Sequence, residues 1–112
     1  MSGFSITSEI RGGVAMVVMA GEFDLVAAPD ADRHLTEVEC QGVSEVVLDL
    51  RALEFLDSTG LRVILAADSR ARREGRRLAL VPGPEPVHRV FRIALLDRRL
   101  EFVGPPEEDT HG

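Results

Sequence analysis

The residues best suited to chemistry form one short run, Asp57-Ser58-Thr59-Gly60-Leu61, where an apolar stretch hands over to a helical pattern. Three chemistries fit a serine there. In the first, Asp57 or Ser58 caps the helix by accepting bonds from its unpaired N–H groups, worth ~1 kcal/mol. In the second, Ser58 accepts a phosphoryl group, which the positive end of a helix tolerates. The third is nucleophilic catalysis, but there is no Gly-x-Ser-x-Gly elbow and no histidine that the pattern places as a base. Catalysis is therefore not expected. Gly60 is a poor helix former in a first turn, which implies that something approaches the backbone closely. A second segment, Gly21-Glu22-Phe23-Asp24, reads as a loop at the end of a strand. Asp24 could cap the helix that follows or belong to the same site as Ser58, and the two roles are compatible.

The elements around these segments follow from periodicity. Residues 4–10 alternate apolar and polar, as a strand with one wet face does. Arg11-Gly12-Gly13 is a turn, and 14–20 is an apolar run, so an antiparallel hairpin is expected. Ala28, Ala31, Leu35 and Val38 share one helix face, with Pro29 in its first turn and Gln41-Gly42 as its end. Residues 46–50 read as a buried strand and 53–61 as the loop that carries the site. A helix is expected over 58–74, with Leu61, Ile64, Leu65 and Ala71 inward and Gly75 as its stop. A strand over 78–81, a helix carrying Val87, Val90, Phe91 and Ala94, and a last short strand over 101–103 complete the pattern. Strand and helix alternate after the hairpin, which favours an α/β fold with a mixed, mostly parallel sheet and helices mainly on one face. In such sheets ligands bind beyond the carboxyl ends of the strands, where both loops fall.

Composition narrows the function. The chain has 112 residues, enough for one domain, expected over 4–104, with 105–112 as a disordered acidic tail. No apolar run approaches the ~20 residues of a membrane span, and the first residues lack a signal-peptide pattern. With a single cysteine, Cys40, the chain reads as cytoplasmic. It contains no Lys, so it has neither a phosphate-loop lysine nor Schiff-base chemistry. One Cys and three His give no zinc-ligand spacing, and no cofactor is expected. The net charge is −6 and aromatic residues are few, which argues against nucleic-acid binding. His34, His88 and the run Arg70, Arg72, Arg73, Arg76 and Arg77 read as solvated surface, with a basic docking patch as the sharper alternative for the arginines.

Leu56-Asp57-Ser58-Thr59-Gly60-Leu61 resembles the Asp-Ser-(Ser/Thr)-Gly-Leu signature of STAS domains, in particular bacterial anti-sigma factor antagonists. Gly21-Glu22-Phe23-Asp24 resembles that family's Gly-x-hydrophobic-Asp loop, and the segments 46–50 and 73–81 match those flanking the signature. The resemblance runs from about Phe4 to Val103. It implies a partner switch. The unmodified antagonist binds an anti-sigma factor, which is also a Ser/Thr kinase of the histidine-kinase-like ATPase type, and so frees a sigma factor. The kinase ends the complex by phosphorylating the signature serine, here Ser58. A PP2C-type phosphatase restores it. Asp24 and Asp57 are then the acidic neighbours of the phosphosite, and Thr59, Gly60, Leu61 and Arg62 lie on the docking surface. The alternative within the family is a scaffold subunit of a transporter or stress-sensing complex that never cycles through phosphate.

Three departures from the family pattern bear on this. Arg62 stands where the family often has Gly, which bears on partner choice. Ala94 replaces a Gly before the last Leu-Asp turn. The chain stops soon after its last strand, so the family's C-terminal helix is expected to be missing or vestigial.

Overall fold

The computed structural model describes residues 3–105. Gly12 and Gly13, both at positive φ, close the hairpin of β1 (Phe4–Arg11) and β2 (Val14–Phe23), which pair antiparallel from Phe4↔Gly21 to Arg11↔Val14. Helix α1 (Ala28–Glu39) leads to β3 (Glu45–Leu56), α2 (Ser58–Glu74) to β4 (Arg77–Val81), and α3 (Glu85–Ile93) follows. Among the described residues the sheet order is β1-β2-β3-β4, with β2–β3 and β3–β4 parallel. This is the mixed, mostly parallel sheet expected.

Strand alternation puts Ala15, Val17 and Met19 of β2, Val46, Leu48 and Leu50 of β3, and Leu78 and Leu80 of β4 into one core. The stripe Ala28, Ala31, Leu35 and Val38 of α1 joins it, as do Leu61, Ile64, Ala67 and Ala71 of α2 and Val87 and Phe91 of α3. The helices thus pack on one face. On the other face of β2, Val18 remains 37% exposed. Helix α2 stops at Gly75, whose φ of 71° is the left-handed conformation that glycine adopts at no steric cost.

Several expectations need correction. Gly21-Glu22-Phe23 is not a loop: β2 continues to Phe23, with register shifts after Val18 and Gly21. Residues 53–56 belong to β3, so the expected loop before Ser58 shrinks to Asp57. Backbone pairing across β2 and β3 overrides the mixed polarity of Leu53-Glu54-Phe55-Leu56. The end of helix α1 needs no correction: it stops at Glu39 and runs into the expected Gln41-Gly42 turn. The last strand reduces to one parallel bridge, Leu80↔Phe102, held by Leu80 N–H to the Glu101 carbonyl (2.9 Å) and Val103 N–H to the Leu80 carbonyl (2.8 Å). The expected acidic tail falls on residues 106–112, outside the described residues, with only Pro105 inside them.

Candidate functional site

Phe23 and Leu56 are register partners at the carboxyl ends of β2 and β3, so Asp24 and Asp57 leave the sheet side by side. The Asp57 N–H donates to the Phe23 carbonyl (3.3 Å), which ties the two exits together. Asp57 is extended (φ −110°, ψ −175°), the geometry of an N-cap. Its Oδ1 accepts from the N–H groups of Thr59 (2.9 Å) and Gly60 (3.0 Å), and its carbonyl accepts from Leu61 N–H (3.0 Å). Asp57, not Ser58, is therefore the cap. Ser58 is the first helical residue, exposed, and among the described residues its hydroxyl has no hydrogen-bond partner. Thr59 beside it is half-buried.

Gly60 is explained by packing within the chain. A Cβ there would stand 2.7 Å from the Phe23 carbonyl oxygen, 2.8 Å from Leu56 Cδ1 and 3.0 Å from Phe23 Cγ. The close approach inferred from the sequence is that of β2 itself. Gly60 is buried and Leu61 only 8% exposed, so this structure places both beneath the surface on which they were expected. Arg62, one turn beyond Ser58, is exposed.

Asp24 does not cap α1 directly, since the N-cap is Ala27 without a side-chain bond. Asp24 Oδ1 instead accepts from Val26 N–H and Ala27 N–H (both 3.1 Å) and so fixes the turn before the helix. That turn thrusts Leu25 and Val26 outward, 68% and 84% exposed. Sequence reasoning missed both. The available signal was two consecutive apolar residues out of phase with the buried face of α1. Beside them a shallow cavity of about 310 Å³ is lined by Phe4, Glu22, Asp24, Val26 and Asp30 among others. Phe4 stacks on Phe23 at 4.9 Å and supports the strand end from below. The site is thus a free hydroxyl on an acidic, partly apolar surface. Among the described residues no cluster of His, Cys, Asp or Glu could hold a metal.

The family model of the STAS domain matches residues 5–109. The chain belongs to the STAS domain family. This STAS domain is 33% identical over 66 residues to the anti-sigma-F factor antagonist RsfB of Mycobacterium tuberculosis, which covers 59% of the chain and 54% of that relative. The chain thus spans about half the length of that curated relative. It is 31% identical over 87 residues to an anti-sigma F factor antagonist of Paenibacillus polymyxa, covering 77% of the chain and 74% of the relative. A solved structure of an anti-sigma factor antagonist from Mycobacterium paratuberculosis superposes with a TM-score of 0.79 at 26% identity, over 93% of this chain and 87% of that one.

The rest of the STAS domain holds the site in place. Arg70 on α2 makes a fork to Glu39 on α1, Nε to Oε1 at 2.7 Å and Nη2 to Oε2 at 3.0 Å. This bidentate bond raises the Arg70 pKa further above its ordinary value. Arg76 lies 3.7 Å from Glu39 and 2.5 Å from Glu74, with a side chain only 7% exposed. Part of the arginine run is therefore a buried clamp between helices, and neither a solvated end nor a docking patch. His88 is half-buried rather than solvated, its ring edge-on to Phe102 at 4.8 Å. His34 Nε2 meets Ser8 Oγ at 3.0 Å. Cys40 is exposed at the C-cap of α1. No helix among the described residues is long and apolar enough to cross a membrane.

Proposed function

We propose that this STAS domain is an anti-sigma factor antagonist whose binding is switched by phosphorylation of Ser58. One observation carries the reading: an exposed, unpartnered serine hydroxyl at the N-terminus of α2, flanked by the Asp24 and Asp57 turns. The two curated relatives described above are named for antagonism of anti-sigma F, which supports the same reading. The partner is an anti-sigma factor that doubles as a Ser/Thr kinase of the histidine-kinase-like ATPase type. Its docking surface here comprises the Asp24 turn with Leu25 and Val26, the cap Asp57, the exposed Ser58, the edge of Thr59, and Arg62. Gly60 and Leu61 shape that surface from beneath. The domain acts by binding, in the cytoplasm, and is not an enzyme.

The kinase forms an O–P bond between Ser58 Oγ and the γ-phosphoryl group of ATP, releasing ADP and the hydroxyl proton. A PP2C-type phosphatase hydrolyses that bond. The phosphate adds ~−1.5 to −2 charges. The Thr59 and Gly60 N–H groups are already taken by Asp57, so the phosphate gains little from them. Its main effect falls on the interface, where a desolvated, unmatched charge costs ~2–5 kcal/mol of binding. That is a loss of roughly thirty-fold to several thousand-fold.

The test is titration calorimetry of wild type, Ser58→Ala and Ser58→Glu against the anti-sigma factor, with mass spectrometry after incubation with partner and ATP. Ser58→Ala is expected to bind and remain unmodified, and Ser58→Glu to bind poorly. Equal binding by Ser58→Glu, or equal phosphorylation of Ser58→Ala at Thr59, overturns the switch. Recovery of transporter or stress-complex subunits alone from host lysate would instead favour the scaffold role.

A further inference from the structure

We propose that Arg62 is a built-in ligand for a phosphate on Ser58, so that the domain carries its own clamp for the modified state. The inference rests on the Ser58 reading above and adds a regulatory element to it. Ser58 and Arg62 are four residues apart on α2, one above the other on the same helix face. Both are exposed, so no repacking is needed for their side chains to meet.

The N–H groups of the next three residues are already engaged. Asp57 Oδ1 occupies the N–H groups of Thr59 and Gly60, and the Asp57 carbonyl holds that of Leu61. The acidic side chains around the site, Glu22, Asp24 and Asp57, repel a phosphate. Arg62 is the one arginine in the first two turns of α2, since the next is Arg70. Arg70 is committed to Glu39. Among the described residues Arg62 has no hydrogen bond or ion pair.

The order along the helix also fits. An anion N-terminal to a cation at this spacing is the more favourable arrangement, and the guanidinium fork matches phosphate oxygens. In the unmodified domain Arg62 is open to the partner. In the phosphorylated domain it folds back onto the phosphate. The modification therefore both adds negative charge and withdraws a cation from the docking surface.

The test installs phosphoserine at position 58 of the full chain during translation, so it does not depend on any kinase recognising Ser58. Phosphorus NMR then reads the second pKa of the phosphate, ordinarily ~6. With Arg62 present it is expected to lie about 0.15–0.4 unit lower than in Arg62→Ala, the scale of one such helix pair. The difference is expected to shrink in 1 M salt, where the screening length is only ~3 Å. Arg62→Lys is expected to retain part of it. Arg73→Ala, at the far end of α2, removes the same charge and is expected to leave the pKa unchanged. Identical pKa values for wild type and Arg62→Ala, or an equal rise with Arg73→Ala, would overturn the clamp. Failure of the partner to phosphorylate Ser58 would instead count against the parent reading.

Discussion

Gly60 runs so close to Phe23 that a single added methyl group would meet the Phe23 carbonyl oxygen at 2.7 Å. This contact locks the start of α2 onto the end of β2 and so sets the position of Ser58 relative to Asp24. Backbone cannot yield as a flexible side chain can. Gly60→Ala is expected to cost about 1–3 kcal/mol, the range for overpacking. Urea unfolding checks this, and a midpoint equal to wild type would contradict it.

Asp57 has two separable roles. Asp57→Ala removes the cap and is expected to cost about 0.5–2 kcal/mol. Asp57→Asn keeps an oxygen for Thr59 and Gly60 but removes the charge, and Asn caps as well as Asp. Its stability is expected near wild type, with any loss confined to partner association. Equal destabilisation by both variants would show that charge, and not capping, dominates.

Leu25 and Val26 hold no fold contacts of consequence at 68% and 84% exposure. Serine at either position is expected to change stability by no more than about 0.5 kcal/mol. If they anchor the partner, binding falls by about 1–2 kcal/mol each. Paired melting curves and titrations decide, and unchanged affinity in both variants would remove this turn from the interface.

The clamp between α1 and α2 is a buried charge cluster. The Glu39 side chain is 7% exposed and faces both Arg70 and Arg76. Glu39→Ala removes both oxygens of the Arg70 fork, leaving Arg70 with Asp32 at 3.7 Å and Arg76 with Glu74, and is expected to cost about 1.5–3 kcal/mol, whereas Arg70→Met, which fills space without charge, is expected to cost less. The reverse order in chemical denaturation would be incompatible with this account.

Asp49 is 5% exposed and binds Arg51 through Nε (3.0 Å) and Nη2 (2.8 Å). Chiefly the Arg51 side-chain hydrogen bond holds its carboxyl below the usual range, against the opposing effect of burial. An unfolded Asp titrates near ~3.9. The folded form titrates lower, so this stabilisation is present above that pH and is lost as pH falls through the folded value. Asp49→Asn is expected to flatten part of the acid limb of the stability profile. An acid limb unchanged in Asp49→Asn would refute the assignment.

Much of the fold was legible because its signals are local. The spacing of Ala28, Ala31, Leu35 and Val38, the Gly12-Gly13 turn, the Gly75 stop and the α2 bounds each depend on residues within a turn or two. Dihedral preference and side-chain period act at that range. Ser58 at a helix start was legible for the same reason. The ends of β2 and β3 were not, because Glu22 and Phe23 become strand only by pairing with Phe55 and Leu56, more than thirty residues away.

The sequence by itself determined the element order, the mixed sheet, the helix start at Ser58 and the family. The tertiary structure decided which site residues face solvent. Gly60 and Leu61 turn inward because β2 ends beneath them, while Leu25 and Val26 turn outward because Asp24 fixes their turn. It also decided that Arg70 is spent on Glu39, and Arg76 on Glu74 and Glu39, while Arg62 is left beside Ser58. Burial and charge pairing depend on what other segments bring alongside, and residues 31 or 37 positions apart in the chain leave no periodic trace of meeting.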